Sequence, residues 1–192
     1  MIVSWNFYYA RPGNAAAVLQ QRIKASDVRA QLGLPRGRII SKIEGGGDFP
    51  DVAWRQDFAD MAAQDSDMKV RAASAEFEVI RHGMRQLYRR FERPLYTPCG
   101  NAGAAAPAIA AEQALLLYGF YCAESAAAAV RDILIATTGG MLQPVEYMSG
   151  GENLPRFICE TGTAGMPATV LTSLARQSAR IERSAWQVAH RG

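Results

Sequence analysis

The chain has 192 residues, 49% of them apolar and 20% charged, with a formal net charge of +3. This composition excludes disordered, collagen-like and disulfide-scaffold proteins, and the length suits one large domain or two of about 90 residues. The charge divides unevenly, with 15 basic and 11 acidic side chains in residues 1–97 against 6 and 7 in residues 98–192. A solvated helix face accounts for that excess, and no nucleic-acid partner is inferred from it.

Cys99, Cys122 and Cys159 are odd in number and lack a CxxC pattern, which fits neither a zinc site nor a disulfide framework and points to a reducing compartment. The start Met1-Ile2-Val3-Ser4-Trp5 has no basic leader, and no apolar run reaches the roughly 18 residues needed to span a bilayer. The expectation is a cytoplasmic protein with no membrane partner.

In chain order, Ile2 to Tyr9 reads as a strand with Val3, Trp5, Phe7 and Tyr9 on one face and Ser4, Asn6 and Tyr8 on the other. Arg11-Pro12-Gly13 turns the chain, and Asn14 is placed to cap a helix with Val18, Leu19, Ile23, Val28 and Leu32 on its apolar face, stopped by Gly33 and Pro35. Arg38 to Ile43 is a second strand, closed by the loop Gly45-Gly46-Gly47-Asp48, and Val52 to Phe58 is a third. A long helical region follows, in which Phe77, Ile80, Met84, Leu87 and Phe91 form one stripe and Arg81, Arg85 and Arg89 a basic ridge offset by Glu78. Pro94 ends it, and Leu95-Tyr96-Thr97 is a short fourth strand.

The small-residue stretch Thr97 to Pro107 reads as a linker, dividing the chain into residues 1–97, a linker over 98–111 and residues 112–192. The second part repeats the order of the first. Ala114 to Cys122 is a strand, Ser125 to Thr138 a helix capped by Ser125, and Gly139-Gly140 a turn. Strands follow around Gln143 to Met148 and Arg156 to Thr161, then a helix from Pro167 through Ile181 and a strand at Trp186 to Ala189. Both parts read βαββαβ, the split arrangement of ferredoxin-like units, and the fold class is α+β. Leu115 to Tyr121 is apolar on both faces, so its sheet needs cover on both sides, which two antiparallel sheets facing each other would supply.

The first strand running into Arg11-Pro12-Gly13, and Val52-Ala53-Trp54-Arg55-Gln56-Asp57-Phe58 at the third strand, resemble the dimeric α/β-barrel superfamily, with its antibiotic-biosynthesis monooxygenase-like and NIPSNAP-like members. The resemblance implies two ferredoxin-like repeats pairing their open sheet faces into a barrel, within one chain or with a partner chain, so a homo-oligomer is among the expectations. It also implies that Ser4, Asn6 and Tyr8 line the lumen. Asn6, Trp54 and Arg55 are the counterparts of the Asn, Trp and Arg side chains used by some cofactor-independent oxygenases of this type, although neighbours in a strand point to opposite faces.

Asp57 shares a face with Arg55, and Glu160 stands near the corresponding place in the second half, so these carboxylates are either an acid–base pair or ion contacts of Arg55 and Arg156. The ligand-binding candidates are Ser4, Asn6, Tyr8, Trp54, Arg55 and Glu160, and the catalytic candidates Asn6, Arg55 and Asp57. His82 and His190 are not assigned as metal or haem ligands, no cofactor is expected, and no nucleotide, zincin or hydrolase motif is present. The favoured expectation is a small-molecule binder using the lumen without a complete catalytic constellation. The alternatives are a cofactor-independent monooxygenase acting on a phenolic or polyketide-like substrate, and a structural module without a pocket.

Overall fold

The computed structural model describes residues 1–45, 49–100, 114–137, 143–151, 153–178 and 180–190. Most of the linker segment, three residues of the Gly45–Asp48 loop, and Thr138 with Gly139-Gly140 lie outside the described residues.

The first half comprises β1 (Ile2–Ala10), α1 (Ala15–Gln31), β2 (Arg38–Glu44), β3 (Val52–Phe58), α2 (Met61–Ala72), α3 (Ala75–Arg85), β4 (Tyr88–Glu92) and β5 (Leu95–Pro98). The second comprises β6 (Ala114–Tyr121), α4 (Glu124–Thr137), β7 (Gln143–Ser149), β8 (Phe157–Thr161), α5 (Ala168–Ala175) and β9 (Arg180–His190). All pairings are antiparallel. β4 and β5 lie end to end along one edge of β1 and act as a single broken strand. The halves join at β2–β9 and β5–β7, and with β1–β3 the sheet closes into an eight-stranded barrel within one chain.

Several local readings are corrected. Asn14 precedes α1, but its side chain makes no capping hydrogen bond. The long helical region is two helices, because Ser74 begins a new one by accepting a hydrogen bond from the Phe77 amide (3.1 Å), as Asp60 does from Ala63 (2.8 Å) at the start of α2. The stripe ending at Phe91 crosses from helix to strand. Residues 88–92 pair with β1, and Phe91 faces Tyr8, a place where helical and strand periodicity both put an apolar side chain. Arg89 therefore leaves the basic ridge. In the second half α5 stops at Ala175, and Ile181 belongs to the long strand β9. Pro98 and Cys99, at the start of the linker segment, join the fold: Pro98 pairs with Val145 and Cys99 is buried.

All nine residues of β1 are buried. Val3, Trp5, Phe7 and Tyr9 pack inside the barrel against Ile40, Tyr96, Leu117, Ile158 and Trp186. Tyr8 and Ala10 face outward and pack with Val18 of α1 and Met84 of α3. The corresponding outer layer of the second half, Tyr118, Phe120, Val130, Leu134, Phe157 and Leu174, is apolar.

Candidate functional site

The lumen of the barrel is filled by aromatic and branched side chains at its centre. Trp5, Tyr96, Leu115 and Trp186 are fully buried there, so among the described residues the centre of the lumen is packed with side chains. Because side chains alternate along β1, placing Trp5 and Phe7 inside puts Ser4, Asn6 and Tyr8 against the helices. The expectation that these three line the lumen is corrected on that ground. The barrel interior takes the large apolar rings of β1, and the polar face of this strand meets the helix layer.

Trp54 and Arg55 part in the same way. Trp54 lies opposite Asn6 on the helix side, where its indole N–H donates to the Arg36 carbonyl (2.9 Å) and the guanidiniums of Arg22 and Arg29 lie 4.7 and 4.8 Å from the ring centre. Gly37 makes this possible. It has a φ of 72°, and a Cβ there would meet the Trp54 indole at 2.3 Å. Arg55 lies opposite Trp5 and points into the barrel. Asn6 and Arg55 sit on adjacent strands but on opposite sides of the sheet, so they do not form one site.

Inside the barrel Arg55 is bound by Asp57 (2.8 and 3.0 Å) and Glu160, and Glu160 also accepts from Arg38. Strand register makes Glu160 the counterpart of Arg55, not of Asp57, since Leu117 opposite Glu160 matches Trp5 opposite Arg55. Burial would raise the Glu160 carboxyl, but Arg38 and Arg55 hold it below the usual carboxylate range. With Arg38 and Arg55 both bonded to it, Glu160 is a structural counter-ion rather than a base. Arg156 engages Glu146 and Glu124 instead.

Two cavities flank this core. At one mouth of the barrel a space of about 460 Å³ carries the same set of groups twice. The Tyr9 hydroxyl donates to Glu92 (2.8 Å) with Arg90 over its ring, and Tyr121 donates to Glu182 (2.9 Å) with Arg180 over its ring. Each carboxylate is matched by an arginine on its own strand, so the mouth is charge-balanced.

The other cavity, about 290 Å³, lies between β1, β4 and the three helices of the first half. On its sheet side the Asn6 amide donates to the Tyr8 hydroxyl (3.3 Å) and accepts from Arg93 (3.3 Å), beside the rings of Tyr88 and Phe91. The helices add Arg22 from α1, Arg71 from α2, and Met84, Arg81 and Arg85 from α3. Reading the sequence missed Arg22, Arg71 and Arg93. Arg22 left a signal, since it follows Val18 by four positions on the buried face of α1, where an arginine needs a reason to be.

Burial disfavours the thiolate form of all three cysteines. Burial pushes Cys99 up to about 12 and Cys159 well above the ordinary thiol range. Among the described residues no group of three or more His, Cys, Asp or Glu side chains could hold a metal ion, and no helix is long and apolar enough to cross a membrane.

No protein-family model and no curated protein matches the sequence. Solved structures match its fold. An anthrone oxidase-like protein aligns at 12% identity with a TM-score of 0.60, covering 98% of this chain and 91% of that one. A candidate monooxygenase from Fusobacterium nucleatum subsp. nucleatum aligns at 9% identity and a TM-score of 0.61, covering 98% and 92%, and another from Lactobacillus acidophilus at 8% and 0.59, covering 100% and 97%. At such identities the likeness concerns the fold. The closed antiparallel barrel of two βαββαβ repeats and the full-length match to these structures together establish that the chain has the ferredoxin-like, dimeric-type α/β-barrel fold.

Proposed function

We propose that the protein binds a small molecule in the cleft between the first-half sheet and helices α1 to α3. The observation that carries this reading is the cavity of about 290 Å³ with the hydrogen-bonded chain Arg93–Asn6–Tyr8 on its floor and Tyr88, Phe91 and Met84 as apolar walls. Such a mix of apolar surface and a few convergent polar groups is typical of ligand pockets, and the volume lies near the small end of their range of roughly 300–1,000 Å³. Asn6 and Tyr8 serve as ligand contacts here, facing the helices instead of the lumen. A ligand-observed NMR screen of a fragment library tests the reading. Hits are expected to compete for one site and to disappear in Ala72→Trp, because Ala72 is an exposed residue at the cleft edge. No hits, or hits indifferent to Ala72→Trp, overturn it.

A second reading, cofactor-independent oxygenation of a phenolic substrate, is favoured by one feature: Asn6 stands in the cleft among guanidiniums, which would stabilise a substrate anion able to pass an electron to oxygen. One oxygen atom would join a ring carbon as a carbonyl, with loss of that carbon's one hydrogen and of the phenolic hydrogen to give a quinone, and the other oxygen atom would leave with these two hydrogens as water. Oxygen uptake with dihydroxy-aromatic substrates should then fall at least tenfold in Asn6→Ala. Wild-type uptake no faster than buffer, or full activity in the variant, rules it out.

A further inference from the structure

The cleft holds more positive charge than its own carboxylates neutralise. Asp67 is the buried carboxylate of this region, and it is fully engaged. It accepts from Arg29 at 2.6 and 3.1 Å and from Arg71 at 2.7 Å. Arg81 pairs with Glu78 at the surface. Arg22 is 3% exposed, yet its guanidinium meets the Ser26 hydroxyl (3.2 Å), the Trp54 ring and the neutral Tyr8 hydroxyl, and its Nε has no hydrogen-bond partner. Arg93 meets the Asn6 carbonyl oxygen and the Phe91 ring. Neither Arg22 nor Arg93 has a carboxylate partner among the described residues.

Burial and the surrounding guanidiniums hold both below the usual arginine value, as expected of cations lacking a counter-ion. A buried charge is kept only where something compensates it. None of the described residues lining this cleft is acidic, whereas the aromatic rings Phe77, Tyr88 and Phe91 line it beside the arginines.

Resting on the reading of this cleft as a small-molecule site, we infer that its ligand is an aromatic acid. A carboxylate or phosphate lies between Arg22 and Arg93, and a one- or two-ring body lies against Phe77, Met84 and Phe91. Planar guanidiniums recognise either headgroup by paired hydrogen bonds, whereas on the helix side of the second half Arg131 and Arg156 are both held by the Glu146 carboxylate.

The test is calorimetric titration with 2-naphthoate, 2-naphthyl phosphate and the uncharged 2-naphthamide, on wild type, Arg93→Gln and Ala72→Trp, with circular dichroism confirming that each variant is folded. A charge-assisted hydrogen bond contributes about 1.5–3 kcal/mol, so an acid should bind roughly 10- to 100-fold more tightly than the amide. That preference should collapse in Arg93→Gln, while Ala72→Trp should abolish binding of all three. The tighter of the two acids identifies the headgroup. Equal binding of acid and amide, or an acid preference that survives Arg93→Gln, overturns the anion inference while leaving the small-molecule site standing. No binding by any of the three overturns this inference for acids of this size. Failure of the fragment screen is what separately removes the site itself.

Discussion

The two halves of the barrel occupy matching places with opposite chemistry. Tyr9 opposite Arg90 corresponds to Tyr121 opposite Arg180, and at the same spacing along the chain Asn6, Tyr8 and Arg22 correspond to Tyr118, Phe120 and Leu134. The first set borders a cleft rich in arginine, whereas the second is the centre of a dry apolar layer. Inside the barrel the counterparts Arg55 and Glu160 bind each other. The first half also carries the additional helix α2, which supplies Asp67 and Arg71. A fold repeat does not imply a repeated site, because the site depends on a few side chains that packing alone does not dictate.

The largest expected loss of stability is at Asp67. Asp67→Ala leaves Arg29, which is 0% exposed, without its counter-ion and should cost about 3–5 kcal/mol in urea unfolding. Asp67→Asn should cost nearly as much if charge rather than volume is responsible. In the second half Leu134→Ala should cost about 2–5 kcal/mol through a cavity, with no dependence on salt.

Glu160 gives a pH signature. Its carboxyl is lowered on folding, so its stabilisation is complete above the unfolded glutamate value of roughly 4.3 and is lost as pH falls through the lower folded value. Glu160→Gln should cost about 1.5–3 kcal/mol at neutral pH and flatten the acid limb of stability against pH. An unchanged acid limb would remove Glu160 as its source.

Smaller effects sharpen the equivalence of the two mouth sets. Tyr9→Phe and Tyr121→Phe each remove one hydrogen bond to a glutamate and should each cost about 0.5–1.5 kcal/mol, by thermal or urea unfolding. A clear disparity would show that the pseudo-twofold does not extend to energetics. Smallest is the exposed pair of Arg81 with Glu78; Arg81→Ala should change stability by roughly 0.2–1 kcal/mol.

The amino-acid sequence alone specified the doubling of βαββαβ, apart from the split of α2 from α3 and the strand β4, and the division of β1 into two faces, because strand alternation, glycine and proline turns and apolar runs are local properties. It left Asp57 and Glu160 open between an acid–base pair and ion contacts of Arg55 and Arg156, and the structure has both bound to Arg55, with Arg156 engaged elsewhere. It misjudged the helix–strand crossover at Tyr88–Glu92, where a spacing of three to four and a spacing of two share the same apolar residue, Phe91. Only the tertiary structure decided which face of β1 looks inward. Both faces are buried, so burial cannot distinguish them, and the choice is settled by large rings from all around the barrel filling a space that the opposite strands define. The cleft was illegible for a related reason. Asn6, Arg22, Arg71 and Arg93 come from four separate segments, and the lack of a carboxylate beside Arg22 and Arg93 among the described residues exists only once the chain has closed around them.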